Sequence, residues 1–438
     1  MIKTTAMLIM LVIAGAAAWG GEPLRLESGE PLIGIYYFTH WWDPWKSNDD
    51  VIRADLGQLR EMGFNTIFLD QEPSQMYDGE WAILDRDHRL AREAGFMILP
   101  WLEAKCGKDA SIGDRFEQVK RRWGAELRHA ERQDGTKAET MVWDEAFADY
   151  MVGWISDYLD RYSETGAILR VVRNGRPRRV ISPCVEIGWE LVSFDDETNE
   201  RFRQWLSRRY QTIDRLNEAW ATSFGDFAKV DARSKAIFDY SNLQQETQSP
   251  AVTDHTRFRA EVCRDAFARI AQRLRMKYSD LLFVAEIPYE FGYQHPHALG
   301  YLWEYAALPE MATWADIILI RSGGFPSPES VRLMAEFAGR NRIEFIYTHR
   351  TSARQGPGHG EFSHAVARKY AGQAATYANG IGYYSWNEMV DAHISRNYPS
   401  TTVPPGAEKM KQTEEEEARV SARVTRINQA YLDIVGVE

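Results

Sequence analysis

The sequence predicts an α/β chain folded as a (β/α)8 TIM barrel with long loop insertions, and three observations carry that prediction. Eight short runs rich in aromatic and β-branched residues lack clean alternation, as expected of strands buried on both faces. Most are followed by a stretch whose apolar residues recur at helical spacing. Several runs also end in acidic or aromatic residues, and the carboxyl ends of the strands are where a parallel barrel does its chemistry.

The first run, Leu32 to Phe38 (LIGIYYF), opens into THWWDPW, which places His40, Trp41, Trp42, Asp43 and Trp45 in the first loop. Ile52, Leu56, Leu59 and Met62 then mark a helix closed by Gly63. NTIFLD is the second strand and ends in Asp70, Gln71 and Glu72, and a helix with Leu84, His88 and Ala91 stops at Gly95. FMILPWLE is the third strand, with Trp101 and Glu103 at its tip. Three strand and helix units in close succession are the rhythm of parallel α/β architecture.

The charged segment from Cys106 to Thr140 reads as a long loop with some helix, and a helix follows from about Asp144 to Tyr162. Asn174-Gly175 between β-branched runs predicts a hairpin with a type I′ turn. Its second arm continues as the fourth barrel strand toward Glu186, with Glu190 four residues later. A helical insertion over about 190–255 carries Phe202, Trp205, Leu206 and Tyr210 on one helix and Ile213, Leu216 and Trp220 on another. A helix from about His255 to Tyr278 leads into LLFVAEIPYE, the fifth strand, with Glu286 and Tyr289. WADIILIRSGG is the sixth, ending in Arg321, and IEFIYTHR the seventh, ending in His349 and Arg350. A helix from about Ser363 to Ala378 precedes the eighth, GIGYYSWNEMVD, whose polar end holds Trp386, Asn387, Glu388 and Asp391. Val420, Val424, Ile427 and Tyr431 mark a closing helix.

Lys3, the apolar run from Ala6 to Ile13 and the small residues from Ala14 to Ala18 read as an export signal over residues 1–21. That predicts a secreted or periplasmic protein with one elaborated domain over 22–438. The net charge of −11 argues against a nucleic-acid partner, and a neutral substrate is easier to reconcile with it. The three cysteines, Cys106, Cys184 and Cys263, form neither a disulfide framework nor a zinc-ligand spacing, although a Cys106 to Cys184 bridge stays open. His295 and His297 with Glu290 are too few for a metal site, so no metal and no cofactor are expected. GPGHG at 356–360 lacks the strand, helix and Lys of a phosphate loop.

Acids at strand ends beside aromatic rings suit cleavage of glycosides. That reaction needs a proton for the departing oxygen and a second group across the anomeric carbon. Glu186, Glu286 and Glu388 lie at or near strand ends on one side of the barrel, and Asp70, Glu72 and Glu103 on the other; each alone also reads as a salt-bridge partner for the many arginines. Glu186 is the first candidate for general acid/base and Glu388 for its partner, with Asp391 and Glu286 in reserve. Tyr36, His40, Trp41, Trp42, Trp101 and Trp386 are candidates for sugar stacking or binding. Asp70, Glu72, Glu103, Glu190, Tyr289, Arg321, His349, Arg350 and Asn387 complete the candidate substrate-binding set.

Two resemblances sharpen this. SWNEM, Ser385 to Met389, resembles the SWNEW segment of the glycoside hydrolase family 99 endomannosidases, in which a second acid follows three residues after the first; the matching pair here is Glu388 and Asp391. IGIYYF and NGRPRRVI are similar to the same group. FRQWLSRRYQTIDRLNEAWATSF, Phe202 to Phe224, is similar to the segment of family 42 β-galactosidases that follows the acid/base glutamate of strand four, which implies that role for Glu186. The chain departs from that family at Val185, where the family has Asn, and at YTHR, where its strand-seven nucleophile has no counterpart. The family 99 likeness implies attack by the sugar's own 2-hydroxyl under base assistance, which suits Glu388 and Asp391. The expectation is an exported barrel glycoside hydrolase acting on an oligo- or polysaccharide. A non-catalytic sugar-binding protein on the same barrel, or a metal-dependent hydrolase, are the rivals.

Overall fold

A computed structural model describes residues 22–40, 44–71, 73, 81–102, 122–123, 127–164, 166–183, 193–239, 249–289, 313–322, 335, 344–350, 364–390 and 414–436. In chain order the barrel half that comes first is β1 (Ile33–Tyr36), α1 (Asp49–Glu61), β2 (Thr66–Asp70), α2 (Ala82–Glu93) and β3 (Met97–Trp101). A small hairpin, β4 (His129–Glu131) and β5 (Lys137–Met141), and helix α3 (Glu145–Tyr162) follow. Next come β6 (Arg170–Arg173), β7 (Arg176–Ile181), α4 (Asp196–Tyr210), α5 (Ile213–Trp220), α6 (Pro250–Lys277) and β8 (Leu281–Tyr289). The last part holds β9 (Ile317–Ser322), β10 (Glu344–Arg350), α7 (His364–Tyr377), β11 (Gly380–Tyr384), α8 (Trp386–Val390) and α9 (Glu414–Val435).

All eight predicted barrel strands are present. The sheet runs β3-β2-β1-β11-β10-β9-β8-β7 in parallel, with β6 added antiparallel to β7. It closes on itself between β3 and the end of β7: Ser182 N donates to Pro100 O at 3.0 Å and Leu102 N to Ser182 O at 2.8 Å. Lower down, Leu169 N donates to Ile98 O at 2.6 Å, so the segment before β6 seals the remaining edge. Closure satisfies main-chain groups that an open edge would leave exposed.

Alternation along the strands gives two cores. Ile33, Ile35, Tyr37, Ile67, Leu69, Ile98, Phe283, Ile318 and Ile381 face the helices, while Leu32, Phe68, Leu99, Val180, Leu282, Val284, Ile317, Leu319 and Ile346 fill the barrel. Leu24 and Leu26 join the inner cluster from the amino-terminal segment. Gly34 faces the Phe68 ring, where a Cβ would lie 2.1 Å from the ring carbon Cζ, so only glycine lets β1 and β2 share that space.

The predicted hairpin is β6–β7, with Asn174 at φ 53° and Gly175 at φ 70°, as a type I′ turn requires. Three expectations change. The segment before α3, expected as loop and helix, contains the β4–β5 hairpin around Asp134 and Gly135. Helix α6 starts five residues before the predicted point, because Ser249 caps it through Val252 N and Pro250 occupies its first turn. The polar end of the eighth strand is not an extended tip but turns at once into α8. Cys263 is a buried free thiol, and Cys106 and Cys184 lie outside the described residues. Among the described residues no helix is long and apolar enough to cross a membrane.

Candidate active site at the carboxyl end of the barrel

The barrel interior is apolar through its lower levels and changes character at the carboxyl ends of the strands. Two residues beyond Phe68 stands Asp70, beyond Leu99 Trp101, beyond Val180 Ser182 and beyond Val284 Glu286. Each therefore shares the inward face of its strand. Asp70 is 1% exposed and Glu286 fully buried. Tyr36 completes the layer: its hydroxyl donates to Glu286 Oε1 at 3.0 Å. Its ring lies 4.2 Å from Trp101, 5.0 Å from Tyr384 and 5.2 Å from Phe68, centre to centre. The Trp101 indole N–H is buried without a hydrogen-bond partner among the described residues.

A second shell of buried polar groups fixes the ends of β1 and β2. Asp87 on α2 accepts from Thr39 Oγ1 at 2.9 Å and from Gln71 Nε2 at 3.2 Å, and Arg86 lies 3.3 Å away. Burial pushes the Asp87 carboxyl up to about 6 against the pull of Arg86 and these donors. Gln71 also donates to the Asp70 main-chain oxygen, and Arg86 to Thr39 O. The neighbouring His88 is neutral: burial pushes its pKa down to about 3. Ala167 N donates to its Nδ1 at 3.0 Å, so Nε2 carries the proton and donates to Tyr158 Oη at 2.8 Å. His40, half-buried after β1, is held to about 3 by burial and by the Arg86 and Lys46 charges.

Of the sequence candidates, the structure brings Tyr36, Asp70, Trp101 and Glu286 into one layer, with His40 beside the β1 exit. Two candidates face elsewhere. Trp386 is fully buried in the outer core between barrel and helices, so it is not a sugar platform. Asn387 has both ends of its amide engaged: Phe38 N donates to Oδ1 at 2.8 Å and Nδ2 donates to Phe38 O at 3.0 Å. It ties the start of α8 to the end of β1. The placement of Trp386 has one cause, since α8 begins directly after β11 and turns that side chain into the outer core.

For Glu388 on α8, Tyr289 on β8, Arg321 on β9, and His349 and Arg350 on β10, the backbone is placed at the carboxyl ends of the barrel elements. Arg321 pairs with Pro288, Tyr289 with Ser322, and Arg350 with Tyr384. Their side chains lie outside the description. So do Trp41, Trp42, Glu72, Glu103, Glu186, Glu190, Asp391, His295, His297, residues 356–360 and residues 1–21, where an export signal is expected. Among the described residues no cluster of three or more metal-ligating side chains occurs. Sequence reasoning passed over Tyr384 and Ser182, whose signal is their alternation with Gly382 and Val180.

The family model of glycoside hydrolase family 42, described as beta-galactosidase, matches residues 181–315, from the last residue of β7 to just before β9. Beta-galactosidase BglY of Alicyclobacillus acidocaldarius is 25% identical over 211 residues, covering 43% of this chain and 26% of that protein. Beta-galactosidase Bga of Halorubrum lacusprofundi is 31% identical over 126 residues, 24% of this chain and 18% of that one. The chain thus spans about a quarter or less of these relatives. Among solved structures, beta-galactosidase from Bacillus circulans sp. alkalophilus superposes with a TM-score of 0.59 at 14% identity, over 94% of this chain and 56% of that one. The catalytic domain of beta-amylase from Paenibacillus polymyxa gives 0.57 at 13% identity, over 82% and 93%. The fold is the (β/α)8 barrel.

Proposed function

We propose that the protein is an exported glycoside hydrolase that cleaves an oligo- or polysaccharide by carboxylate acid/base catalysis. The observation that carries this reading is the change from an apolar barrel interior to a layer holding Asp70 and Glu286 among Tyr36, Trp101 and Tyr384. A saccharide ring has apolar faces for aromatic contact and hydroxyls for carboxylates and for the Trp101 N–H. The match to the β-galactosidase family model starts at Ile181, the last residue of β7, and takes in Glu186. Galactosides are therefore the first substrates to test.

In this reading Glu186 protonates the leaving oxygen and then deprotonates the water that replaces it. Glu388 acts across the anomeric carbon, with Asp391 as its neighbour. No acid stands at Thr348 to Arg350 on β10, so the route that fits the sequence has the sugar's 2-oxygen bond to the anomeric carbon as the glycosidic bond breaks. Its proton passes to Glu388 or Asp391 and returns to that oxygen when water opens the ring so formed. The same missing acid supports one rival, a sugar-binding protein without turnover.

A reducing-sugar assay over a panel of galactosides and mannosides, run beside calorimetry, tests the proposal. Hydrolysis by the wild type and a loss of orders of magnitude in Glu388→Gln, with unchanged folding, is the expected result. Near-normal hydrolysis by that variant removes Glu388 from the mechanism. Binding without release of reducing ends favours the rival.

A further inference from the structure

Glu286 breaks the inward series Leu282, Val284 with a carboxyl at the end of the barrel where the apolar layers stop. Its strand is already bonded on both sides, to β7 and β9 through the main chain, and a leucine at this position would continue the packing below it. Placing an ionisable group there, fully buried, is costly unless it is hydrogen-bonded. The hydrogen bond comes from Tyr36, on the far side of the barrel from β8 in the strand order. Trp101, Tyr384 and Phe68 hold that phenol ring on three sides.

We propose that Glu286 stabilises, from the floor of the barrel mouth, the positive charge that develops at the anomeric carbon as the glycosidic bond breaks, and that Tyr36 is the positioning residue that orients its carboxyl. The proposal rests on the glycosidase reading and adds to it a group outside the acid/base pair. No bond forms between Glu286 and the sugar. The leaving oxygen takes its proton from the acid on another strand, water supplies the new hydroxyl, and its second proton returns to that acid as base. Full burial lowers the local dielectric, so a fixed carboxylate acts on a nearby cation more strongly than it would in water. A neutral donor on a carboxylate favours its charged form, which counters the opposite effect of burial.

Steady-state kinetics against pH on an aryl glycoside cleaved by the wild type tests this, with Glu286→Gln, Glu286→Asp and Tyr36→Phe. Glu286→Gln is expected to lower kcat on the order of 10²–10³-fold with KM little changed, and Glu286→Asp to recover part of the loss. Tyr36→Phe is expected to lower kcat about tenfold and to move the acidic limb of the profile to higher pH, because the carboxyl loses the donor that favours its charge. A purely structural tie would lower thermal stability and leave that limb in place. Wild-type kcat in Glu286→Gln, or an unmoved limb in Tyr36→Phe, overturns the proposal while the glycosidase reading stands. Should Glu286→Gln not fold, Tyr36→Phe decides alone. Absence of cleavage of every glycoside by the wild type overturns both.

Discussion

Tyr36 and Tyr37 are consecutive, carry the same side chain and each give a hydroxyl hydrogen to a carboxylate, yet they belong to different parts of the molecule. Tyr36 points into the barrel and meets Glu286, 250 residues away in the chain. Tyr37 points outward and meets Asp55 of α1 at 2.9 Å, where Trp45 Nε1 also donates at 2.6 Å. The outer pair binds a helix to the strand it follows, and burial raises the Asp55 pKa against these donors. The inner pair reaches across the barrel between two strands that are not neighbours in the sheet. One tyrosine serves the packing of a βα unit, and the other meets a buried carboxyl at the carboxyl end of the barrel.

The comparison breaks most sharply on turnover. Glu286→Gln should reduce kcat on the order of 10²–10³-fold at little cost in stability, whereas Asp55→Ala should leave turnover per folded molecule unchanged. Asp55→Ala should instead lower unfolding free energy by about 3 kcal/mol, read by urea titration, since it strips the acceptor from two donors. Loss of activity in folded Asp55→Ala would erase the distinction.

The next effect concerns pH. His88 titrates near 6.5 when unfolded and near 3 in the fold, so its contribution to stability is full above 6.5 and is lost as pH falls toward 3. Between pH 7 and 5 that loss is about 2 kcal/mol. Asp87 opposes it: its raised value makes its contribution full below 3.8 and lost as pH rises through about 6. His88→Gln should therefore show a pH 7 to pH 5 drop in unfolding free energy smaller than that of the wild type by about 2 kcal/mol. An equal drop in both proteins would mean that His88 is not the buried neutral group described.

Tyr37→Phe is the mildest test. It should cost about 1 kcal/mol and leave the pH profile of turnover in place, in contrast to Tyr36→Phe.

Much of this was legible in the sequence. Strands of a parallel barrel are buried on both faces, so LIGIYYF, NTIFLD and LLFVAEIPY stand out as apolar runs, and the acids after them mark the working end. Tyr36, Asp70, Trp101 and Glu286 were found in this way. The β4–β5 hairpin was missed because its strands are short and charged, although Asp134-Gly135 carried a turn signal. Trp386 was misplaced because a polar stretch after a strand reads as a tip, and nothing in WNEMV marks the helix that turns this side chain outward. The bond between Tyr36 and Glu286 depends on how strands are staggered around the closed sheet, a property of all eight together.

The seam between β1 and β11 carries a consequence for biogenesis. Its strands come from opposite ends of the described chain, and the Asn387 amide that fastens it reaches a partner 349 positions earlier. During synthesis β1 has no neighbour on that side until Gly380 to Tyr384 emerge, leaving an apolar rim open to self-association. Recombinant fragments that stop short of residue 380 should accordingly precipitate, and productive refolding should be slow, because the ring is sealed by its most distant parts.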